Sequence, residues 1–178
     1  SDTAVALALG AEKAEKDIMN KKPENNKKNI FLSKTGFNIL YMSVVQSIII
    51  LVLYFLSVYI WGFSNLVTTT MCFITLVCME LFHAYNLRSE EKSIFELGVF
   101  SNKLLNYAFI ASFILTTIVV LAPINFLHQA LNITFLNTTQ WAICIGFSFL
   151  IIPIVEIFKV FIRMYEKRKY KTKALKNI

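Results

Sequence analysis

The sequence contains little glycine, proline or cysteine, and it lacks the common motifs of catalytic sites. Its 178 residues include 5 Gly, 3 Pro and 3 Cys. There is no glycine-rich phosphate loop, no nucleophile elbow, no zinc-ligand spacing and no close pair of carboxylates. Cys72 and Cys78 lie six residues apart in one apolar run, on different helix faces, which argues against a disulfide framework or a metal cluster. We therefore predict no catalytic and no cofactor-binding residues, and on its own the chain is not expected to be an enzyme.

Formal charge is nearly absent from four long apolar runs. The chain is 56% hydrophobic, above the ~45–50% of soluble domains, and the excess is gathered in these runs. Each run is long enough to cross a hydrocarbon core of ~30 Å as a helix. The sequence predicts an all-α membrane protein with four transmembrane helices, at about residues 37–61, 68–87, 104–122 and 140–162. Pro123 is expected to end the third helix, and Pro153 to kink the fourth.

The segments around these runs complete the predicted organisation. Residues 1–10 have the composition of the end of a preceding membrane helix, which suggests a piece of a longer protein. Residues 11–36 are predicted to form a cytoplasmic loop, with Pro23 and two asparagines interrupting any regular element. Residues 37–163 then form the four-helix transmembrane domain, and residues 164–178 a basic cytoplasmic tail.

Lysine and arginine are absent from two of the predicted loops, and this absence predicts the orientation. Residues 62–67 and 123–139 contain none, whereas residues 11–36 contain seven, residues 88–103 three, and the C-terminal end eight counting Lys159. The positive-inside rule therefore places both ends in the cytoplasm of an integral, multi-pass membrane protein, for which we expect the plasma membrane. The basic ends fit contact with anionic lipid. No basic groove with stacking aromatics accompanies them, so we expect no nucleic acid as a partner.

Glu80 is the one acidic residue of the second predicted helix, and no lysine or arginine shares that helix with it. It follows Thr68 by twelve residues, which places the carboxylate ~18 Å into the bilayer. A charge near that depth costs on the order of 2.5–3.5 kcal/mol, so such residues usually face a partner, a cavity or a cation. We predict a functional role for Glu80. We expect a structural hydrogen bond for His83, and for Glu156 and Lys159 an ion pair or a lysine extending to the interface.

Three separated motifs near the start of the chain carry a resemblance to a known family. Asp2 is followed by Ala8-Leu9-Gly10, and then by Asp17-Ile18-Met19 with basic residues and Pro23 after it. This order and spacing resemble the end of the sixth membrane helix of P-type cation-transporting ATPases and the loop that follows it.

The resemblance continues downstream and covers essentially the whole chain. Residues 70–89 look like the eighth membrane helix of calcium pumps, and residues 139–163 look like the tenth. The chain thus resembles the end of helix six plus helices seven to ten, and four spans with cytoplasmic ends fit that architecture. The Ala-Leu-Gly ending favours the calcium-pump branch.

The resemblance implies a function and a set of metal ligands. Asp2 and Glu80 match positions of ion ligands in two-site calcium pumps, and Ser1 falls where a hydroxyl residue contributes a ligand. Ca²⁺, which takes 6–8 oxygen ligands, would be the transported ion. The chain would be the C-terminal membrane part of a calcium-transporting ATPase, with the rest of the pump chain and membrane lipid as partners. ATP and Mg²⁺ would act only through phosphorylation and nucleotide-binding domains that this sequence does not include.

Two other functions are compatible with parts of this pattern. An independent four-span transporter coupled to protons or cations could use Glu80 as its single membrane carboxylate. Alternatively, the four helices could be a scaffold that braces an ion site made mainly by other helices.

Overall fold

The computed structural model describes residues 2–12, 34–89, 92–122 and 125–176, and the side chains of these ranges apart from residues 2, 34, 35, 127 and 165–176. Within these residues the chain is helical and has no β-strand. The helices are α1 (Asp2–Gly10), α2 (Lys34–Phe55), α3 (Asn65–Asn86), α4 (Ile94–Leu97), α5 (Lys103–Leu121), α6 (Asn125–Leu131), α7 (Thr138–Phe149) and α8 (Ile151–Lys176).

Four helices of this part of the chain are long and apolar enough to cross a membrane, which confirms the predicted all-α membrane fold. They cover Gly36–Ile60, Asn65–Asn86, Lys103–Leu121 and Thr138–Met164. Most of the predicted 11–36 loop, Pro123 and the side chains of the basic tail lie outside the described residues.

Capping side chains begin three of these spans a little earlier than hydropathy alone predicts. Ser64 accepts a hydrogen bond from the backbone N–H of Val67, so α3 begins at Asn65 rather than at residue 68. Asn102 caps α5 in the same way. Asn137 caps α7 with a reciprocal capping box through Gln140. Each cap satisfies backbone donors that a helix otherwise leaves without partners.

The last span is interrupted one turn before Pro153. Pro153 has no N–H to donate to the carbonyl of Phe149, four residues earlier, and its ring clashes with that carbonyl. The regular i to i−4 hydrogen-bond pattern is therefore broken at the Phe149 carbonyl. The backbone N–H of Leu150 instead donates to Phe147 O at 3.3 Å, a tighter turn, and α8 begins at Ile151. The regular hydrogen-bond pattern is thus interrupted at Leu150, between α7 and α8, close to Pro153.

Helix α3 is the centre of the bundle. Half of its membrane span is buried, against 11 to 22% in the other three spans. It packs closely on α7 through small and polar side chains: Ser148 Oγ lies 3.0 Å from Thr75 O and 2.7 Å from Cys144 O. The Cys144 thiol lies 3.5 Å from Met71 O. Small side chains at such a contact let two membrane helices approach closely.

Helices α2 and α3 form a short hairpin. The end of the first span winds into a π-helical turn, Leu56–Ile60, in which Trp61 N–H donates to Leu56 O at 3.0 Å. This turn directs Ser57 at α3, where its hydroxyl lies 2.9 Å from the Thr68 hydroxyl in a fully buried pair. Gly62 turns the chain with φ +63°, a conformation that favours glycine.

Candidate ion site

Glu80 lies on a stripe of α3 that the other described helices leave uncovered. The residues on either side of it, Met79 and Leu81, are buried, whereas Glu80 is exposed. Leu76, one turn before it, and Leu87, two turns after it, are exposed as well. These three residues are exposed on a helix of which half of the membrane span is buried.

The C-terminal ends of helices α1 and α3 lie close together, where two residue pairs share one sequence offset. Ala8 belongs to the same buried cluster as Ala84. Glu12 binds Arg88, which is 76 residues further along the chain. Both pairs have the same offset in sequence, as expected for two parallel segments with the same rise per residue.

Extended along two parallel helices, this offset would give Asp2 and Glu80 a similar depth. Continued from Ala8 to the start of α1, it places the backbone of Asp2 level with Cys78. At ~1.5 Å per residue, that level is ~3 Å along the helix axis from Glu80. The side chain of Asp2 and all of Ser1 lie outside the described residues.

Arg88 makes a buried polar cluster where α1 and α3 end. Its side chain is only 2% exposed. Nε and Nη2 each donate to one oxygen of Glu12 at 2.9 Å, a bidentate pair. Nη1 donates to Gly98 O at 2.8 Å and Val99 O at 3.2 Å, and Nη2 also lies 2.6 Å from Ser101 Oγ. The φ of +80° at Gly98, a value that favours glycine, forms the turn that presents these carbonyls.

Asn102 completes the Arg88 cluster, by which we mean Glu12, Arg88, Gly98, Val99, Ser101 and Asn102. Its amide nitrogen lies 2.6 Å from Glu12 Oε2 and 3.1 Å from Ala8 O, while its amide oxygen caps α5 by accepting from Leu105 N at 2.9 Å. The cluster therefore joins the end of α1 to α3, to the connector between α3 and α5, and to α5 itself.

The Arg88 cluster predicts a stability that depends on acidic pH. The hydrogen bond from Arg88 holds the pKa of Glu12 below its ordinary value of 4.5, against the opposing effect of burial, and Asn102 adds to the lowering. A depressed pKa contributes stability that is fully present above 4.5 and is lost as the pH falls through the lower, folded-state pKa. We expect the difference in thermal unfolding temperature between the wild type and Glu12→Gln to be constant from pH 7 to 5 and to shrink below that. A difference independent of pH down to acid unfolding would contradict this assignment.

Glu156 and Lys159 hold the same connector from the side of α8. Glu156 Oε1 accepts from Ile94 N at 2.9 Å. Lys159 is buried, and its Nζ donates to Asn86 O at 2.8 Å and Lys92 O at 3.1 Å. The lysine therefore points into the bundle rather than extending to solvent.

His83 is buried near the end of α3, and the hydrogen bond expected for it is not seen at Nδ1. It is 9% exposed, and its Nδ1 is a buried atom with no hydrogen-bond partner among the described residues. No group of three or more His, Cys, Asp or Glu side chains that could hold a metal occurs within the described ranges.

The family model described as "Cation transporting ATPase, C-terminus" matches residues 1–161. The chain belongs to this family. The match confirms the family indicated by the motifs from Asp2 to Pro23, and with the four apolar helices it establishes an integral, multi-pass membrane protein.

Relatives of this cation-transporting ATPase chain are named as calcium-transporting ATPases. Calcium-transporting ATPase type 2C member 1 of Pongo abelii is 32% identical over 171 residues, covering 93% of this chain and 18% of the relative. Calcium-transporting ATPase 1 of Bacillus cereus is 26% identical over 175 residues, covering 90% and 19%. Calcium-transporting ATPase 12, plasma membrane-type, of Arabidopsis thaliana is 29% identical over 153 residues, covering 86% and 14%. The chain thus spans between 14 and 19% of the length of these relatives.

In this cation-transporting ATPase chain, sequence reasoning singled out Glu80 but missed the Arg88 cluster. Arg88 lies two residues after the end of α3, where a basic residue is ordinary. Glu12 stands in a run of alternating acids and lysines with nothing to distinguish it from Glu15. The one available signal was Asn102, whose capping position before an apolar run marks the start of α5.

Proposed function

We propose that the chain is the C-terminal membrane part of an ATP-driven calcium pump, and that Asp2 and Glu80 supply carboxylate ligands to the transported Ca²⁺. The observation that supports this proposal is the exposure of Glu80, a carboxylate within a membrane span of α3. The calcium-transporting relatives support Ca²⁺ as the ion. A hard cation that prefers oxygen ligands also offsets the cost of a membrane carboxylate.

In this proposal the remaining ligands come from the rest of the pump. Two carboxylates supply at most four of the 6–8 oxygen ligands that Ca²⁺ takes. The hydroxyl of Ser1 is a third ligand from this chain, and the helices that cover the exposed stripe of α3 supply the others. ATP and Mg²⁺ act at the phosphorylation and nucleotide-binding domains. The chain lies in the plasma membrane, and both of its ends are in the cytoplasm.

The family match favours this function over an independent transporter, and transport assays distinguish the two. Inverted membrane vesicles containing the complete pump chain are expected to accumulate ⁴⁵Ca²⁺ only when ATP is supplied, and to release it with a calcium ionophore. Vesicles containing residues 1–178 alone are expected to accumulate none under either ATP or an imposed proton gradient. Gradient-driven uptake by residues 1–178 would instead establish the independent transporter.

A further inference from the structure

A cavity of about 320 Å³ lies between α2, α3 and α8, at the same end of the bundle as the Arg88 cluster. Its lining is divided by chemistry. Met42, Val155 and Phe158 are among the side chains of an apolar wall. Asn38 and Asn86 belong to a polar wall at the ends of α2 and α3. The cavity is thus amphipathic, and its polar part lies where these spans leave the hydrocarbon.

Several polar atoms in this wall are buried without a hydrogen-bond partner among the described residues. They are Asn38 Oδ1, His83 Nδ1, and both Oδ1 and Nδ2 of Asn86. Asn86 is 2% exposed, so bulk water does not solvate its amide freely. Buried polar groups in folded proteins are almost always hydrogen-bonded. Three such residues lining one cavity therefore indicate that its occupant supplies hydrogen bonds.

The wall also carries one formal charge. Lys159 is the charged side chain among the described residues that line the cavity, and its bonds to Asn86 O and Lys92 O fix the ammonium group against the polar wall. An ammonium and an amide N–H together favour a phosphate oxygen as acceptor. The amide oxygens of Asn38 and Asn86 require the opposite, a donor from the ligand.

We propose that this cavity binds the headgroup of a phospholipid that carries its own N–H donors, a phosphoethanolamine lipid, in preference to phosphocholine. The phosphate accepts from Asn86 Nδ2 and lies beside Lys159, and the ethanolamine ammonium donates to the oxygens of Asn38 and Asn86. The acyl chains extend along the apolar wall toward Ile39, which is exposed at the surface of α2. Choline has the same charge but no N–H, so it leaves both amide oxygens unpaired. The proposal is independent of the ion site, because it uses none of the proposed ion ligands.

The test uses the purified pump chain containing residues 1–178, delipidated in detergent and studied by native mass spectrometry. The added probes are phosphatidylethanolamine, its N-methyl and N,N-dimethyl derivatives, and phosphatidylcholine, all with identical acyl chains. We expect tight retention of one phosphatidylethanolamine or N-methyl lipid and intermediate retention of the N,N-dimethyl lipid, whose single N–H can pair with only one of the two amide oxygens. Retention of phosphatidylcholine, which has no N–H, is expected to be at least tenfold weaker than that of phosphatidylethanolamine. Equal retention of all four lipids, or of none, would overturn the proposal.

Two variants and a control locate the binding. Asn86→Asp preserves shape but removes the amide N–H and adds a charge that repels phosphate, so we expect at least tenfold weaker retention of phosphatidylethanolamine. Asn38→Leu is expected to reduce the preference over phosphatidylcholine without abolishing binding. Asn65→Leu is a control on α3, because Asn65 is exposed at the opposite end of that helix. If the control weakened retention as much as the two cavity variants, the lipid would bind elsewhere.

Discussion

Replacing Glu80 with glutamine is expected to weaken the apparent Ca²⁺ affinity of the complete pump by about 10- to 100-fold. The substitution preserves the size and shape of the side chain and removes only the negative charge. Interactions of a charged group are typically worth about 1.5–3 kcal/mol, and each ~1.4 kcal/mol corresponds to a factor of ten in affinity. The measurement is the Ca²⁺ concentration that half-activates ATP hydrolysis.

Glu96→Gln is the matched control for this experiment. Glu96 lies in α4 and pairs with Arg163 in an exposed ion pair with an N–O distance of 3.0 Å. Neither residue is among the proposed ion ligands. We expect Glu96→Gln to leave the half-activating Ca²⁺ concentration unchanged. If Glu80→Gln also left it unchanged, Glu80 would not be a ligand, and a purely structural role for the four helices would be favoured.

Arg88→Met is expected to cause the largest loss of stability of any single change proposed for this chain, about 3–5 kcal/mol. The variant removes one partner of a buried ion pair while preserving much of the apolar bulk of the side chain. It leaves the Glu12 carboxylate, which is 21% exposed, without its bidentate partner. It also leaves the carbonyls of Gly98 and Val99 without the donor they now share. The measurement is reversible chemical unfolding of the purified protein in detergent.

Two comparisons separate the geometry of the Arg88 cluster from its charge. Arg88→Lys keeps the positive charge but cannot reproduce the planar fork, so we expect an intermediate loss. Arg163→Met breaks the exposed pair, in which the side chains of Arg163 and Glu96 are 32% and 57% exposed. It is expected to cost less than about 1 kcal/mol. Equal losses for Arg88→Met and Arg163→Met would show that the cluster contributes no more than a surface pair.

The double variant Arg88→Met with Glu12→Gln tests whether the two residues act together. If most of the loss comes from an uncompensated carboxylate, neutralising Glu12 recovers part of it, and the two changes are not additive. Additive losses would mean that Arg88 stabilises the protein through the connector carbonyls rather than through Glu12. This distinction matters because the pair with Glu12 links the end of α1, which carries Asp2, to the end of α3, which carries Glu80.

The sequence predicts the helices and one feature of the candidate site, because both depend on local pattern. Four apolar runs of sufficient length give the spans, and Pro153 gives the break before α8. Glu80 is recognisable because an acid without a nearby base is unusual in such a run. Ser64 and Asn137 are residue types favoured at helix N-caps, so both caps could have been predicted from the sequence. Bounds taken from hydropathy miss them, because hydropathy does not mark the first turn of a helix.

The contacts between distant segments could not be predicted in the same way. Glu12 and Arg88 are separated by 76 residues, and only the parallel packing of α1 on α3 brings them together. The unpaired atoms of Asn38, His83 and Asn86 become neighbours of one cavity only when α2, α3 and α8 are assembled. In the sequence Asn38 and Asn86 look like ordinary polar residues at the ends of spans.

The central position of α3 has a consequence for how the protein enters the membrane. Its mean hydropathy is 1.6, against 2.2 to 2.4 for the other spans, because the side chains it buries include Thr68, Thr70, Thr75 and Asn86. Insertion is governed by the hydrophobicity of the inserting segment, so α3 is the span least able to partition into lipid alone. The hairpin with α2 gives α3 a partner during synthesis. The contact between the Ser57 and Thr68 hydroxyls supplies a hydrogen bond that lipid cannot supply. The helix that organises the finished bundle is thus the one whose biogenesis depends most on its neighbour.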